Sequence, residues 1–123
     1  MDENNIIKEK SKYFAIRIIN LYKYLTISAP QREFVLSKQV LRSGTSIGAN
    51  IKEALRGQTK ADFRAKMNIA LKEASETGYW LELLHRTNYI DDALFRSLNE
   101  KCTSIRVMLI ASCKTVKKKM NEG

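Results

Sequence analysis

Five glycines and one proline in 123 residues leave this chain little with which to turn. A sandwich of short β-strands needs turn chemistry every 8–12 residues or so, and no such supply exists here. Between the sparse breaks run long stretches rich in Leu, Ile, Ala, Lys and Glu, which points to a few long helices. Hydrophobic residues make up 44% of the chain, enough to build a core and too many for a disordered tail. The length suits one domain, spanning 1–123, because single cores serve about 100–200 residues.

The breaks divide the chain into four segments. Ser28-Ala29-Pro30-Gln31 reads as a helix start, with a capping Ser and a first-turn Pro. Gly57 suits a C-terminal cap, and Thr59-Lys60-Ala61-Asp62 resembles a capping box for the next helix. Asp91-Asp92, after Asn88-Tyr89-Ile90, puts acids at the positive end of a further helix. Helices are therefore expected near 5–27, 31–56, 60–87 and 91–119. Their short connections force antiparallel neighbours, which gives an all-α, up-down-up-down four-helix bundle.

Apolar spacing supports each helix. In the last one Phe95, Leu98, Cys102, Ile105, Leu109, Ser112 and Val116 recur at steps of three and four, as a bundle seam requires. Ile7, Phe14, Ile18, Leu21 and Leu25 form the matching stripe in the first helix. Leu36, Val40, Gly44, Ile47, Ile51 and Ala54 form it in the second, and Phe63, Met67, Ala70, Ala74, Leu81 and Leu84 in the third. Cys102 and Cys113 both fall on the seam, about 16 Å apart along one helix at ~1.5 Å per residue. That is too far for a disulfide, and both read as small core residues.

Two patterns fall outside the seams. On the third helix Ile69, Tyr79, Trp80 and Leu83 lie roughly 100–160° from the core stripe at about 100° per residue. An isolated chain would leave Trp80 and Leu83 largely wet. Such an apolar sector marks a partner surface, with self-association the expected use. The competing reading is that neighbouring helices flank the third widely enough to cover it. On the second helix Lys38, Arg42, Lys52 and Arg56 share a face about 80° wide, opposite the seam. Lys8, Lys12 and Lys23 cluster on the first helix, and Lys114 to Lys119 make a basic C-terminal end. With 22 Lys and Arg against 13 Asp and Glu, a net charge of +9, a polyanion is the first partner to consider. A row of this kind aligns with a phosphate backbone and binds with salt-dependent affinity. No aromatic is interleaved with it, so bases have no stacking platform. A basic face that simply keeps the helix solvated is the competing reading.

Ser43-Gly44-Thr45-Ser46-Ile47-Gly48-Ala49 is rich in small residues although each mid-helix Gly costs about 1 kcal/mol relative to Ala. Close packing of another helix compensates. Ser46 and Asn50, four apart, are placed to hydrogen-bond across helices in a buried layer.

The stretch SGTSIGANIKEALRGQTKADF, followed by KMNIALKEASETGYWLELL, resembles the four-helix-bundle family encoded by intervening sequences of bacterial 23S ribosomal RNA genes. The matching residues are Ser46, Ile47, Asn50, Ile51 and Glu53, then Asp62-Phe63, Ile69-Ala70, Glu73-Ala74, Glu76 and Tyr79-Trp80. Many members continue Asn-Ile-x-Glu with Gly, where this chain has Ala54. The resemblance implies an antiparallel bundle assembled into a homopentameric ring. It also implies similarity to the accessory protein of diversity-generating retroelements, a basic pentameric barrel that engages nucleic acid and a reverse transcriptase. It brings no catalytic residues and no cofactor.

Enzyme readings fail on inventory. His85 is the sole histidine, and no strand-turn-helix elbow exists to present a nucleophile to it. Glu82-x-x-His85 is half of a di-iron helix motif, which needs two such pairs and two further Glu. Glycine-rich phosphate loops and paired cysteines at zinc spacing are absent from the sequence. MDENNIIKEK carries acids where a signal peptide carries positive charge. The longest apolar run, Val107 to Ala111, is far short of the ~20 residues that span a bilayer. A cytoplasmic protein without a membrane partner is expected. Two functions remain: an oligomeric, RNA-binding protein, or an interaction scaffold whose charge serves solubility.

Overall fold

A computed structural model describes residues 2–122. Four helices, α1 (Glu3–Lys23), α2 (Leu36–Leu55), α3 (Lys60–Arg86) and α4 (Asp92–Glu122), follow one another, and a π-helical turn, Tyr24–Ser28, prolongs α1. Each packs on the next, and α4 returns to α1. The result is the expected all-α, up-down-up-down bundle. The start of α1, the end of α2, the start of α3 and the end of α4 therefore share one end of the molecule.

The seams meet as their spacing predicts. Ile7, Phe14, Ile18, Leu21 and Leu25 pack with Val40, Ile47 and Ile51, with Met67, Ala70, Ala74, Leu81 and Leu84, and with Leu98, Cys102, Ile105 and Leu109. Each large apolar side chain so buried is worth about 1.5–3 kcal/mol. Phe63, Phe95 and Cys113, also on the predicted stripes, are half-buried at the rim.

Capping fixes the ends. The side chain of Asp2 accepts from Asn5 N at 2.8 Å. Thr59 Oγ1 accepts from Asp62 N at 3.0 Å, and Asp91 Oδ1 from Leu94 N at 2.8 Å, as the sequence indicates. α3 closes with Asn88 in the left-handed region at φ 68°. Asn88 N donates to His85 O at 3.1 Å and Tyr89 N to Leu84 O at 2.9 Å, the paired bonds of a Schellman ending. Gly57, expected to play that part for α2, follows the cap Arg56 and donates to Ala54 O at 3.0 Å. Its φ is not positive.

The second helix begins later than its expected start at 31. Ala29 N donates to Tyr24 O at 2.8 Å, five residues back, so the chain leaves α1 through a π-turn and Pro30 lies in the loop. The Glu33 carboxylate takes the capping role, accepting from the backbone N–H groups of Val35, Leu36 and Ser37 at 3.0, 2.8 and 2.6 Å.

The small residues of α2 allow the expected close approach. A Cβ on Gly44 would lie 2.8 Å from Ile18 Cγ2, and one on Gly48 would lie 3.4 Å from Ser11 Oγ. The hydrogen bonding differs from expectation. Ser46 Oγ donates to Arg42 O at 2.7 Å and Asn50 Nδ2 to Ser46 O at 2.8 Å, both within α2. The buried link between helices is made by Thr77 Oγ1 and Ser43 Oγ, 2.8 Å apart.

Candidate nucleic-acid interface

All four residues of the predicted row, Lys38, Arg42, Lys52 and Arg56, are exposed on α2, with Lys52 on the edge that faces α1. The row spans about 27 Å from Lys38 to Arg56 at 1.5 Å per residue. Arg42 stands between two carboxylates of α3. Its Nη1 is 3.3 Å from Glu73 Oε2, and its Nη2 bonds Glu76. The hydrogen bond from Arg42 holds the Glu76 carboxyl below its ordinary value, and the same bond raises the pKa of Arg42. Arg42 is thus a brace between α2 and α3 as well as a cation. Among the described residues Lys38, Lys52 and Arg56 have no carboxylate within 4.0 Å.

Lys52 meets cations from another helix. With Lys8 and Lys12 of α1 it lines a shallow groove of about 220 Å³ between α1 and α2. Lys8 and Lys12 at i and i+4 are visible in the sequence, but their pairing with Lys52 depends on how α1 and α2 are set side by side. Lys23 lies about two turns beyond this groove on α1.

The basic C-terminal end projects. Lys10 Nζ donates to Ser104 Oγ at 3.3 Å and Arg17 Nη1 to Ser97 Oγ at 2.8 Å. In that register Glu3 is level with about residue 111, so the last eleven or so residues of α4 overhang α1 by roughly 16 Å. Lys114, Lys117, Lys118 and Lys119 ride on this overhang. Charge is consequently uneven along the bundle. Residues 2–13, 46–73 and 105–122 form the half that holds this end. They carry fourteen Lys and Arg against seven Asp and Glu, while the other half carries eight against six.

The apolar sector of α3 divides in two. Ile69 and Tyr79 are exposed, at 40% and 55%. Trp80 and Leu83, expected to be wet on an isolated chain, are half-buried. Trp80 packs against the core, donates from Nε1 to Glu76 Oε1 at 3.2 Å, and meets the Tyr79 ring at 5.3 Å. A second apolar face, beyond those the spacing predicts, lies on α1 and its π-turn. Tyr13, Ile16, Ile19 and Tyr24 are exposed along the outer side of α1 and its π-turn, and Ile27 reaches 65%. Its signal, Tyr13, Ile16, Asn20, Tyr24 and Ile27 at steps of three and four, runs beside the stronger core stripe.

The residues considered for chemistry occupy structural places. Among the described residues no group of three or more His, Cys, Asp and Glu is placed to hold a metal ion. The His85 ring stacks on Phe95 at 4.3 Å, and its Nε2 lies 2.5 Å from Asp92 Oδ1. That hydrogen bond holds the Asp92 carboxyl below its usual range. Cys102 Sγ contacts Ala74 O at 3.3 Å, and burial pushes its thiol up to about 11; burial raises Cys113 as well. These are poor nucleophiles. Among the described residues no helix is long and apolar enough to cross a membrane.

The class is therefore a basic, all-α four-helix bundle with no catalytic constellation among its described residues. Residues 3–111 match the 23S rRNA-intervening sequence protein family, and the chain belongs to it. A crystal structure from Bacteroides thetaiotaomicron, described as a protein of unknown function from the S23 ribosomal protein family, is similar at 57% identity and a TM-score of 0.88. The match covers 92% of this chain and 99% of that one. No curated protein matches the chain.

Proposed function

We propose that this family member is a non-enzymatic protein that binds nucleic acid, RNA foremost, through backbone phosphates. The observation that carries the reading is the uneven charge, fourteen cations against seven acids in one half of the bundle. Lys52, Arg56 and the lysines of the α4 overhang belong to that half. Lys38 extends the row along α2, whereas Arg42, engaged by Glu73 and Glu76, braces α3. Lysine and arginine on phosphates displace counterions, so affinity falls steeply with salt and carries little sequence preference.

The test is anisotropy of a fluorescein-labelled RNA of about 20 nucleotides, between about 50 and 200 mM salt. Binding is expected to weaken by an order of magnitude or more across that range. Lys52→Glu with Arg56→Glu should weaken it further at unchanged helicity. Absence of binding at low salt, or binding insensitive to salt, overturns the reading in favour of the scaffold.

Self-association is a second reading, supported by the paired apolar faces. Ile69, Tyr79, Trp80 and Leu83 belong to α3, Ile16 and Ile19 to α1, and Ile27 to the π-turn that prolongs it. These helices are diagonal in the bundle, because α2 and α4 each pack on both. One face meeting the other is a head-to-tail contact, which generates a ring where its rotation closes, in keeping with the homopentamer the family resemblance implies.

A further inference from the structure

We infer that the groove between α1 and α2 seats the phosphodiester backbone of one nucleic-acid strand, with Lys8, Lys12 and Lys52 as its cationic rim. The inference rests on the nucleic-acid reading above and says where on the basic half the strand runs.

The groove is open because its floor is built from small residues. Ser11 and Ala15 of α1 face Thr45, Gly48 and Ala49 of α2. The helices come close enough that a Cβ on Gly48 would touch Ser11 Oγ at 3.4 Å. Longer side chains at these positions would fill the roughly 220 Å³ between the helices. Lys8 and Lys12 stand one turn apart on one wall, about 6 Å along the axis, a step comparable with that between successive phosphates. Lys52 stands on the other wall.

The charges at this rim are available. Lys8 and Lys52 have no carboxylate within 4.0 Å among the described residues. Lys12 reaches Glu9 only at 4.0 Å, and an exposed pair of that kind holds its partners weakly. The acid next to Lys52, Glu53, is engaged by Lys66 at 2.7 Å. A groove flanked by cations also concentrates the positive field more than a convex helix face does. That distinguishes it from the outer row, where Arg42 already answers two carboxylates.

The lining further defines the ligand. Ser11 Oγ donates to Lys8 O at 2.9 Å and Thr45 Oγ1 to Leu41 O at 2.7 Å, so both hydroxyl protons are used within their own helices. Among the described residues no aromatic lines the groove. It offers charge for phosphates, no stacking surface for bases and no free hydroxyl donor specific to a ribose. A strand should bind with its bases outward, and RNA and DNA should bind alike.

Two charge-matched pairs and one filling variant test this. Lys8→Gln with Lys12→Gln removes two rim charges. Lys23→Gln with Arg32→Gln removes two exposed charges from the opposite half. Ala49→Phe fills the groove and leaves the charge untouched. Labelled single-stranded RNA and DNA 20-mers or so of one sequence serve as probes. The rim pair should lose at least about tenfold in affinity and lower the salt slope by about 1.4, two contacts on a single strand. The control pair should lose about twofold or less by the same electrostatics, and Ala49→Phe should weaken binding at constant net charge. Equal losses in the two pairs, wild-type affinity in Ala49→Phe, or a preference of more than about tenfold for RNA over DNA overturns the groove while leaving the nucleic-acid reading standing. Failure of the wild-type protein to bind either probe overturns both.

Discussion

A methyl group added to Gly44 would land 2.8 and 2.9 Å from the two γ carbons of Ile18. Ile18 is fully buried and β-branched, so it has little freedom to move aside. Overpacking of this kind costs about 1–3 kcal/mol, more than the ~1 kcal/mol that Ala gains over Gly in a helix. Gly78, inside α3, has nothing within 4 Å of its would-be Cβ. Gly44→Ala should therefore lower the urea midpoint, while Gly78→Ala should raise stability by about 0.5–1 kcal/mol. Equal effects from the two substitutions would contradict the packing seen at Gly44. The consequence extends to the groove, because Gly44 and Gly48 together let α1 lie close to α2 and bring Lys8 and Lys12 across from Lys52.

At the scale of the element, α2 shows how a start can be hidden from sequence reasoning. Ser28 and Pro30 have the residue types of a helix start, but the π-turn at Tyr24–Ser28 consumes Ser28, and the helix opens at Leu36. The cap comes from Glu33, 8% exposed, whose carboxylate accepts three backbone N–H groups. Charge-assisted bonds of this kind are the stronger ones. Glu33→Ala should cost about 1–2 kcal/mol, the upper range for a lost cap, and Glu33→Gln less, since its amide oxygen still accepts. Urea denaturation of both variants checks the order, and equal stability of Glu33→Ala and wild type would remove Glu33 from this role. The seams of all four helices were legible because burial follows spacing, and Thr59 and Asp91 were legible because their caps are local. The Glu33 cap resembles no short motif. The bond between Arg42 and Glu76 and the meeting of Lys8 with Lys52 depend on how consecutive helices align side by side, which no single helix encodes. The candidate site was thus half legible: its charges could be read, but not their partners.

On the scale of the whole molecule, the two apolar faces lie on diagonal helices, so one protomer offers two different surfaces. Repetition of a single head-to-tail contact with cyclic closure points every subunit the same way along the ring axis. The basic halves would then gather on one face of the assembly, strengthening the field that a polyanion meets. Tyr79 is the better probe of the α3 face than Trp80, because Trp80 donates to Glu76 and packs on the core; its loss would disturb the brace to Arg42 as well. Tyr79→Glu with Leu83→Glu should disable the α3 face, and Ile16→Glu with Ile27→Glu the α1 face. Each variant alone should be a helical monomer by light scattering, while the wild-type protein is a closed oligomer. Mixed together, the two should form a dimer and stop there, since each keeps one intact face and the pair can make a single contact. A symmetric contact between two α3 faces predicts something different: the α1 variant would remain assembled, and mixing would add nothing. Wild-type protein that stays monomeric at micromolar concentration would rule out both arrangements.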